Sequence, residues 1–176
     1  MKLRLRLTGV ATAALAFAAD QISKYWFIQI FDIGSRQPIR LTPFLDLVMA
    51  WNPGISYSML SADGSLGRWA LLALAAAATA VFGFWLSRAA DWLTAVALGL
   101  VIGGALGNAL DRWAYGAVAD FFFLHTALPV GPLANYVFNV ADCGIVAGVA
   151  LLLYDSVRAR PPTGVETAPA PPNRRE

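Results

Sequence analysis

The residues able to do chemistry come in short polar blocks set in an oily sequence. They are Asp20 and Lys24, Asn52 with Gly54, Asn108 with Asp111 and Arg112, Asp120, and Asn139 with Asp142. A carboxylate inside or at the lip of hydrocarbon costs several kcal/mol, so acids recurring among apolar runs point to chemistry or transport. When two carboxyl groups stand close enough to interact, ionising one penalises the other and the pair shares a proton. The ionised member can then take a proton from water while the protonated member hydrogen-bonds a carbonyl under attack. Asp120 and Asp142 are the candidates for such a pair, and amide hydrolysis by them needs no metal. The chain has one cysteine, Cys143, and one histidine, His125, which exclude an internal disulfide and a His/Cys metal cluster. No cofactor is called for.

These side chains must be positioned by membrane elements. With 58% hydrophobic residues, 14% charged and a net charge of +2, the composition is that of a membrane protein and offers nothing to nucleic acid. Leu7 to Ala19, after Lys2, Arg4 and Arg6, has the texture of a secretory signal. Apolar sequence resumes at Tyr25-Trp26-Phe27-Ile28, however, so residues 7–30 read as an uncleaved first helix. Further spans are expected over 69–86, 92–110 and 137–154. Segment 32–67, punctuated by glycine and proline, contains pieces such as Phe44 to Val48 and Ile55 to Ser58 that suit a small sheet at the membrane surface. Segment 112–136 is expected to form a second outer region, and 161–176 is a proline-rich tail with too little apolar surface to fold. Residues 1–160 then form one integral membrane domain.

Lys2, Arg4, Arg6, Arg88, Arg158 and Arg160 fall on one side of this four-span arrangement, so both termini are expected in the cytoplasm. At ~1.5 Å per residue, Asp20, Asn108 and Asp142 come to roughly one level, about 18 to 24 Å from the cytoplasmic face. Gly99, Gly103 and Gly107 recur every four residues, a stripe along which another helix can approach.

Taken in order, these blocks resemble the lipoprotein signal peptidases, type II, the intramembrane aspartyl peptidases of bacteria. Asp20-Gln21-Ile22-Ser23-Lys24 is similar to the family's first-helix block, and Trp51-Asn52-Pro53-Gly54 to its Asn-x-Gly block. Gly103 to Arg112 is similar to its Gly-Gly-Ala-x-Gly-Asn-x-x-Asp-Arg block. Val118-Ala119-Asp120-Phe121 and Phe138-Asn139-Val140-Ala141-Asp142 resemble the two blocks bearing its catalytic aspartates. The resemblance implies a membrane α-helical fold of four transmembrane helices with a small extracytoplasmic β-cradle, matching 32–67, and a short extracytoplasmic helix within 125–136. It implies Asp120 and Asp142 as the catalytic dyad, with Asp20, Lys24, Asn52, Gly54, Asn108, Asp111, Arg112 and Asn139 supporting the site or binding substrate. The implied reaction removes a signal peptide just before a cysteine carrying diacylglycerol. An inner-membrane enzyme working among lipid, acting as a monomer and blocked by globomycin-type inhibitors, is the corresponding expectation.

Plainer roles exist for many of these residues. Asp111 can form a structural ion pair with Arg112, and Asp20 one with Lys24 at i+4. Asn52 and Asn139 can satisfy buried backbone groups or touch substrate. His125 reads as a surface histidine and Cys143 as a small apolar helix residue. Two other classes compete, an ion or proton transporter and a structural four-helix subunit. Transport would want ionisable groups along a whole path, yet the inner halves of the spans have none, and a structural subunit leaves the acids unexplained. A serine/lysine peptidase built on Lys24 lacks a partner, because Ser23 is adjacent on the helix and faces away.

Overall fold

The structure is a computed structural model describing residues 2–54, 65–126 and 135–158. Its axis is the helix α4, Trp92–Tyr115, buried at positions from Thr94 through Asp111. Against it pack α1 (Lys2–Tyr25), α3 (Ser65–Leu86) and α5 (Val140–Arg158). The glycine stripe explains the closeness of α1. A Cβ at Gly103 would run into the carbonyl of Ala13, and one at Gly107 into the carboxylate of Asp20. Without side chains on this face of α4, the backbones meet and the buried acid of α1 fits beside the helix.

Among the described residues three helices are long and apolar enough to cross a membrane, Leu66–Leu86, Trp92–Tyr115 and Val140–Arg158. Helix α1 is equally long, but Lys2, Arg4, Arg6, Asp20 and Lys24 dilute its apolar character. It runs on through a π-helical turn, Trp26–Ile30, so the expected helical stretch to Ile30 is continuous. Short helix α2, Ile33–Arg36, follows and was not foreseen.

The sheet has four antiparallel strands in the order β1-β2-β3-β4: Ile39–Thr42, Leu45–Asn52, Val118–His125 and Asn135–Phe138. This corrects the expectation that 32–67 alone supplies the sheet, since two of its four strands, β3 and β4, come from residues 118–138. The run Val118 to Phe123 is rich in β-favouring residues but was not expected as a strand, and its pairing with β2 is a long-range choice. Ile33, Leu47, Ala119 and Phe121 form a buried cluster that joins α2 to the sheet, with Phe27 stacked on Phe121 at 4.9 Å between ring centroids.

Two boundaries also move. Helix α4 continues five residues past the expected end at Leu110 to Tyr115, where Gly116 at φ 81° closes it in the left-handed region. Charge did not end the helix because Asp111 is buried and paired, as described below. Helix α5 starts at Val140 rather than 137, because Val137 and Phe138 pair with Phe123 and Phe122. The expected outer helix within 125–136 meets strand at both ends of that range; residues 127–134, like Ile55 to Ser58 and the tail 161–176, lie outside the described residues.

Candidate active site

The C-terminal ends of α1 and α4 and the N-terminal end of α5 meet the sheet at a cluster of buried polar side chains. Asp20 is 0% exposed, Lys24 3%, Asn108 9%, Asp111 1%, Asp120 2% and Asn139 0%. Groups of this kind withdraw from water only when their partners replace it. The partners are present.

Lys24 lies 2.8 Å from Asp20 and 2.8 Å from Asp111, bridging α1 to α4. The expected i, i+4 pair of Asp20 and Lys24 is therefore formed. The expected ion pair of Asp111 with Arg112 is not. Asp111 turns inward to Lys24, to the amide of Gln21 at 3.2 Å and to the backbone N–H of Ala119 at 3.1 Å. Arg112 points the other way and donates to the carbonyls of Gly54 at 2.9 Å and Asn108 at 3.1 Å. Neighbours in sequence on a helix diverge by ~100°, so adjacent opposite charges need not meet. Gln21, which the sequence reading passed over, also donates to Asp20 at 3.1 Å and to the Gly107 carbonyl at 3.2 Å. Its signal was its place between Asp20 and Lys24.

Asn52 and Asp120 share a face of the sheet. Asn52 is the register partner of Val118, and Ala50 of Asp120, so the two polar residues are diagonal neighbours across β2 and β3. The Asn52 amide donates to Asp120 Oδ2 at 3.2 Å while its Oδ1 accepts the Gly54 N–H at 3.1 Å, which fixes the turn after β2. Asn139 donates through Nδ2 to Asp120 Oδ1 at 2.7 Å. At the start of α5 it is the N-cap, its Oδ1 accepting the Asp142 N–H at 3.0 Å while Asp142 Oδ2 accepts the Asn139 N–H at 3.1 Å. Asn108 donates to the remaining oxygen, Asp142 Oδ1, at 2.9 Å. Every oxygen of the two acids thus has an amide donor.

Asp120 and Asp142 line one cavity of about 230 Å³. Asn52, Gly54, Asn108 and Arg112 complete its polar side. Its apolar wall includes Leu71, Leu74, Ala75 and Ala78 of α3 and Ile145 of α5. The α3 residues were invisible to the reading of the sequence because the wall they form is wholly apolar and no polar residue stands beside them between Trp69 and Ala78. Burial, and then the negative charge of Asp142, push the Asp120 carboxyl up to about 7, against the lowering effect of the amides of Asn52 and Asn139 and the charge of Lys24. Such a pair can hold a proton near neutral pH, which acid–base chemistry requires.

Of the other candidates, Ser23 donates to the Asp20 carbonyl at 2.7 Å, away from any nucleophilic role with Lys24. His125 lies 3.3 Å from Asp46 across β2 and β3, so it is half-buried and paired rather than a plain surface histidine. Cys143 is exposed on α5.

Long apolar helices carrying a carboxylate-rich, half-apolar cavity define a membrane enzyme. Solved structures agree with that class. One described as a bacterial membrane enzyme at 2.3 Å resolution has a TM-score of 0.72 at 24% identity, covering 86% of this chain and 88% of its own. Another so described, at 1.9 Å, has a TM-score of 0.70 at 25% identity, covering 87% and 94%. The family model for signal peptidase (SPase) II matches residues 12–158, and the chain belongs to that family, a group of aspartic-type proteases. Its relatives include the lipoprotein signal peptidase of Methylocella silvestris, 59% identical over 86% of each chain. That of Nitrobacter hamburgensis is 49% identical over 88% of this chain and 94% of its own.

Proposed function

We propose that this enzyme, which removes signal peptides from prolipoproteins, does so with Asp120 and Asp142 as a water-activating dyad. The observation that carries the reading is that these two acids line one cavity and that each oxygen of both is held by an amide donor. One carboxylate accepts a proton from water as its oxygen attacks the scissile carbonyl carbon, and the protonated partner hydrogen-bonds the carbonyl oxygen. Collapse of the tetrahedral intermediate breaks the C–N bond, and the proton goes to the leaving amine. Asn52, Asn108 and Asn139 orient the acids. Arg112 and Gly54 shape the rim where peptide backbone enters, and Asp20, Lys24 and Asp111 support the floor.

The substrate is a prolipoprotein whose cysteine carries diacylglycerol, cut just before that cysteine. Leu71, Leu74, Ala75, Ala78 and Ile145 offer an oily wall beside the acids, which suits acyl chains at the edge of the bilayer. In this reading α1 with its π-turn is a fourth span, residues 1–160 are one integral domain of the inner membrane, and the sheet lies on the extracytoplasmic side. Lys2, Arg4, Arg6, Arg88 and Arg158 face the cytoplasm with both termini. The enzyme works as a monomer and binds globomycin-type inhibitors. An ion or proton transporter is disfavoured by the one-sided clustering of the buried charges.

The direct test is to give the purified enzyme a diacylated precursor and the same precursor without lipid. Cleavage of the lipidated form alone is expected. Equal cleavage of both would remove the lipid from the recognition, and no cleavage of either would end the reading.

A further inference from the structure

Both acids close a Val-Ala-Asp triplet, Val118-Ala119-Asp120 and Val140-Ala141-Asp142. The two alanines are buried, at 0% and 1% exposure, and each has its N–H captured by a distant buried carboxylate. Ala119 donates to Asp111 Oδ2 at 3.1 Å, and Ala141 to Asp20 Oδ1 at 2.9 Å. The second contact satisfies one of the free N–H groups at the start of α5, which that helix cannot bond itself. Between the two capturing carboxylates stands a single ammonium. Lys24 Nζ is 2.8 Å from Asp20 Oδ2, 2.8 Å from Asp111 Oδ2 and 3.2 Å from Asn108 Oδ1.

An ammonium has three hydrogens and no acceptor, and here three acceptors surround it. Asn108 therefore must turn its oxygen to Lys24, a choice reinforced by Asn139 donating to the same oxygen at 3.1 Å. That orientation leaves Nδ2 of Asn108 to face Asp142, 2.9 Å away. Without the ammonium, Asn139 alone would hold that oxygen, and the donor facing Asp142 would be less firmly set.

We infer that Lys24 is the positioning residue of the aspartate pair: its three hydrogens hold Asp20, Asp111 and Asn108, which set the backbone ahead of Asp142, the backbone ahead of Asp120, and the donor on Asp142. The inference rests on the reading of Asp120 and Asp142 as the dyad. Lys24 touches neither acid and acts only through these three side chains. The charged and titratable groups facing the pair are Lys24 and Asp20 from α1, Asp111 and Arg112 from α4, Tyr136 of β4, which lines the same cavity, and Cys143 beside Asp142 on α5. Among these, Lys24 lowers the Asp120 carboxyl, so its charge as well as its geometry bears on the pair.

The test is Lys24→Gln beside Lys24→Arg in the full-length enzyme, with steady-state kinetics on a diacylated precursor across pH. For Lys24→Gln, kcat is expected to fall on the order of 100-fold with KM little changed, as displaced catalytic groups do. The alkaline limb of the pH profile is expected to move up by about half a unit or more, because a positive charge near Asp120 is gone. Lys24→Arg keeps the charge but not the three-way geometry, so its limb stays in place while kcat remains reduced. A Lys24→Gln enzyme with unchanged kcat and an unmoved limb would overturn the inference, as would a loss that only tracks the unfolded fraction. If Lys24→Gln does not accumulate, Lys24→Gln with Asp111→Asn removes one charge of each sign; unchanged kcat there overturns the inference, and lowered kcat at constant KM upholds it. Asp120→Asn is the control: if that variant still turns over, the dyad itself is wrong, whatever Lys24 does.

Discussion

Asn139 and Asp142 hold each other across the first turn of α5, with Asn139 N–H to Asp142 Oδ2 at 3.1 Å and Asp142 N–H to Asn139 Oδ1 at 3.0 Å. The same Asn139 reaches Asp120 through Nδ2 at 2.7 Å. A reciprocal helix cap, an ordinary device for starting a helix, thereby becomes the brace between two acids from different elements. Asn139→Ala removes the cap and the donor to Asp120 together. Stability is expected to fall by about 1 to 2 kcal/mol, and turnover by far more than the unfolded fraction explains. Thermal melts read beside single-turnover rates separate the two effects.

Asp120→Asn and Asp142→Asn should each abolish processing of a lipidated precursor while membrane insertion stays intact. Gel-shift of the precursor in membranes from expressing cells is the measurement, and appreciable turnover by either variant would remove the dyad. Because the pair supplies both base and acid, chelators should leave the wild-type rate unchanged.

The pH dependence follows from the position of Asp120, whose carboxyl stands at about 7 through burial and the neighbouring charge of Asp142. Two interacting acids titrate as a pair, so this marks the upper of two apparent values, and kcat/KM should decline above pH 7 as the shared proton is lost. Stability carries the same sign. A carboxyl raised in the folded state binds its proton more tightly there than in the unfolded chain. Its contribution is full below pH ~4 and is lost as pH rises through 7, on the order of 4 kcal/mol at the limit. Asp120→Asn has no carboxyl to titrate there and should therefore show a flatter dependence of Tm on pH between about 4 and 8. A dependence of Tm on pH as steep as that of the wild type would contradict the raised carboxyl.

Asp111 serves Lys24, Gln21 and the Ala119 N–H rather than Arg112. In Asp111→Asn one amide hydrogen pair meets existing donors, and a stability loss of about 1 to 3 kcal/mol is expected. Turnover should persist at a reduced level, since Asp20 still neutralises Lys24. Arg112→Lys, in contrast, should leave Tm nearly unchanged and raise KM, because Arg112 holds the Gly54 carbonyl at the rim. Chemical denaturation of the first and KM of the second check the division.

Much of this protein could be read without coordinates. Apolar runs long enough for hydrocarbon announced helices at 69–86, 92–110 and 137–154, because a bilayer leaves the backbone few other ways to satisfy its polar groups. The glycine spacing on α4 announced a close helix, and depth alone brought Asp20, Asn108 and Asp142 to one level. What local pattern could not decide was partner choice. Whether Asp111 meets Arg112 or Lys24, and whether β2, already paired with β1, also takes a strand from the distant segment that carries Asp120, depends on which groups packing brings within ~3 Å. Ion pairs and strand ladders between distant segments are settled by the burial of all their neighbours together. For the same reason α3, whose sequence bears nothing polar at its centre, could become a wall of the site only once the helices were assembled.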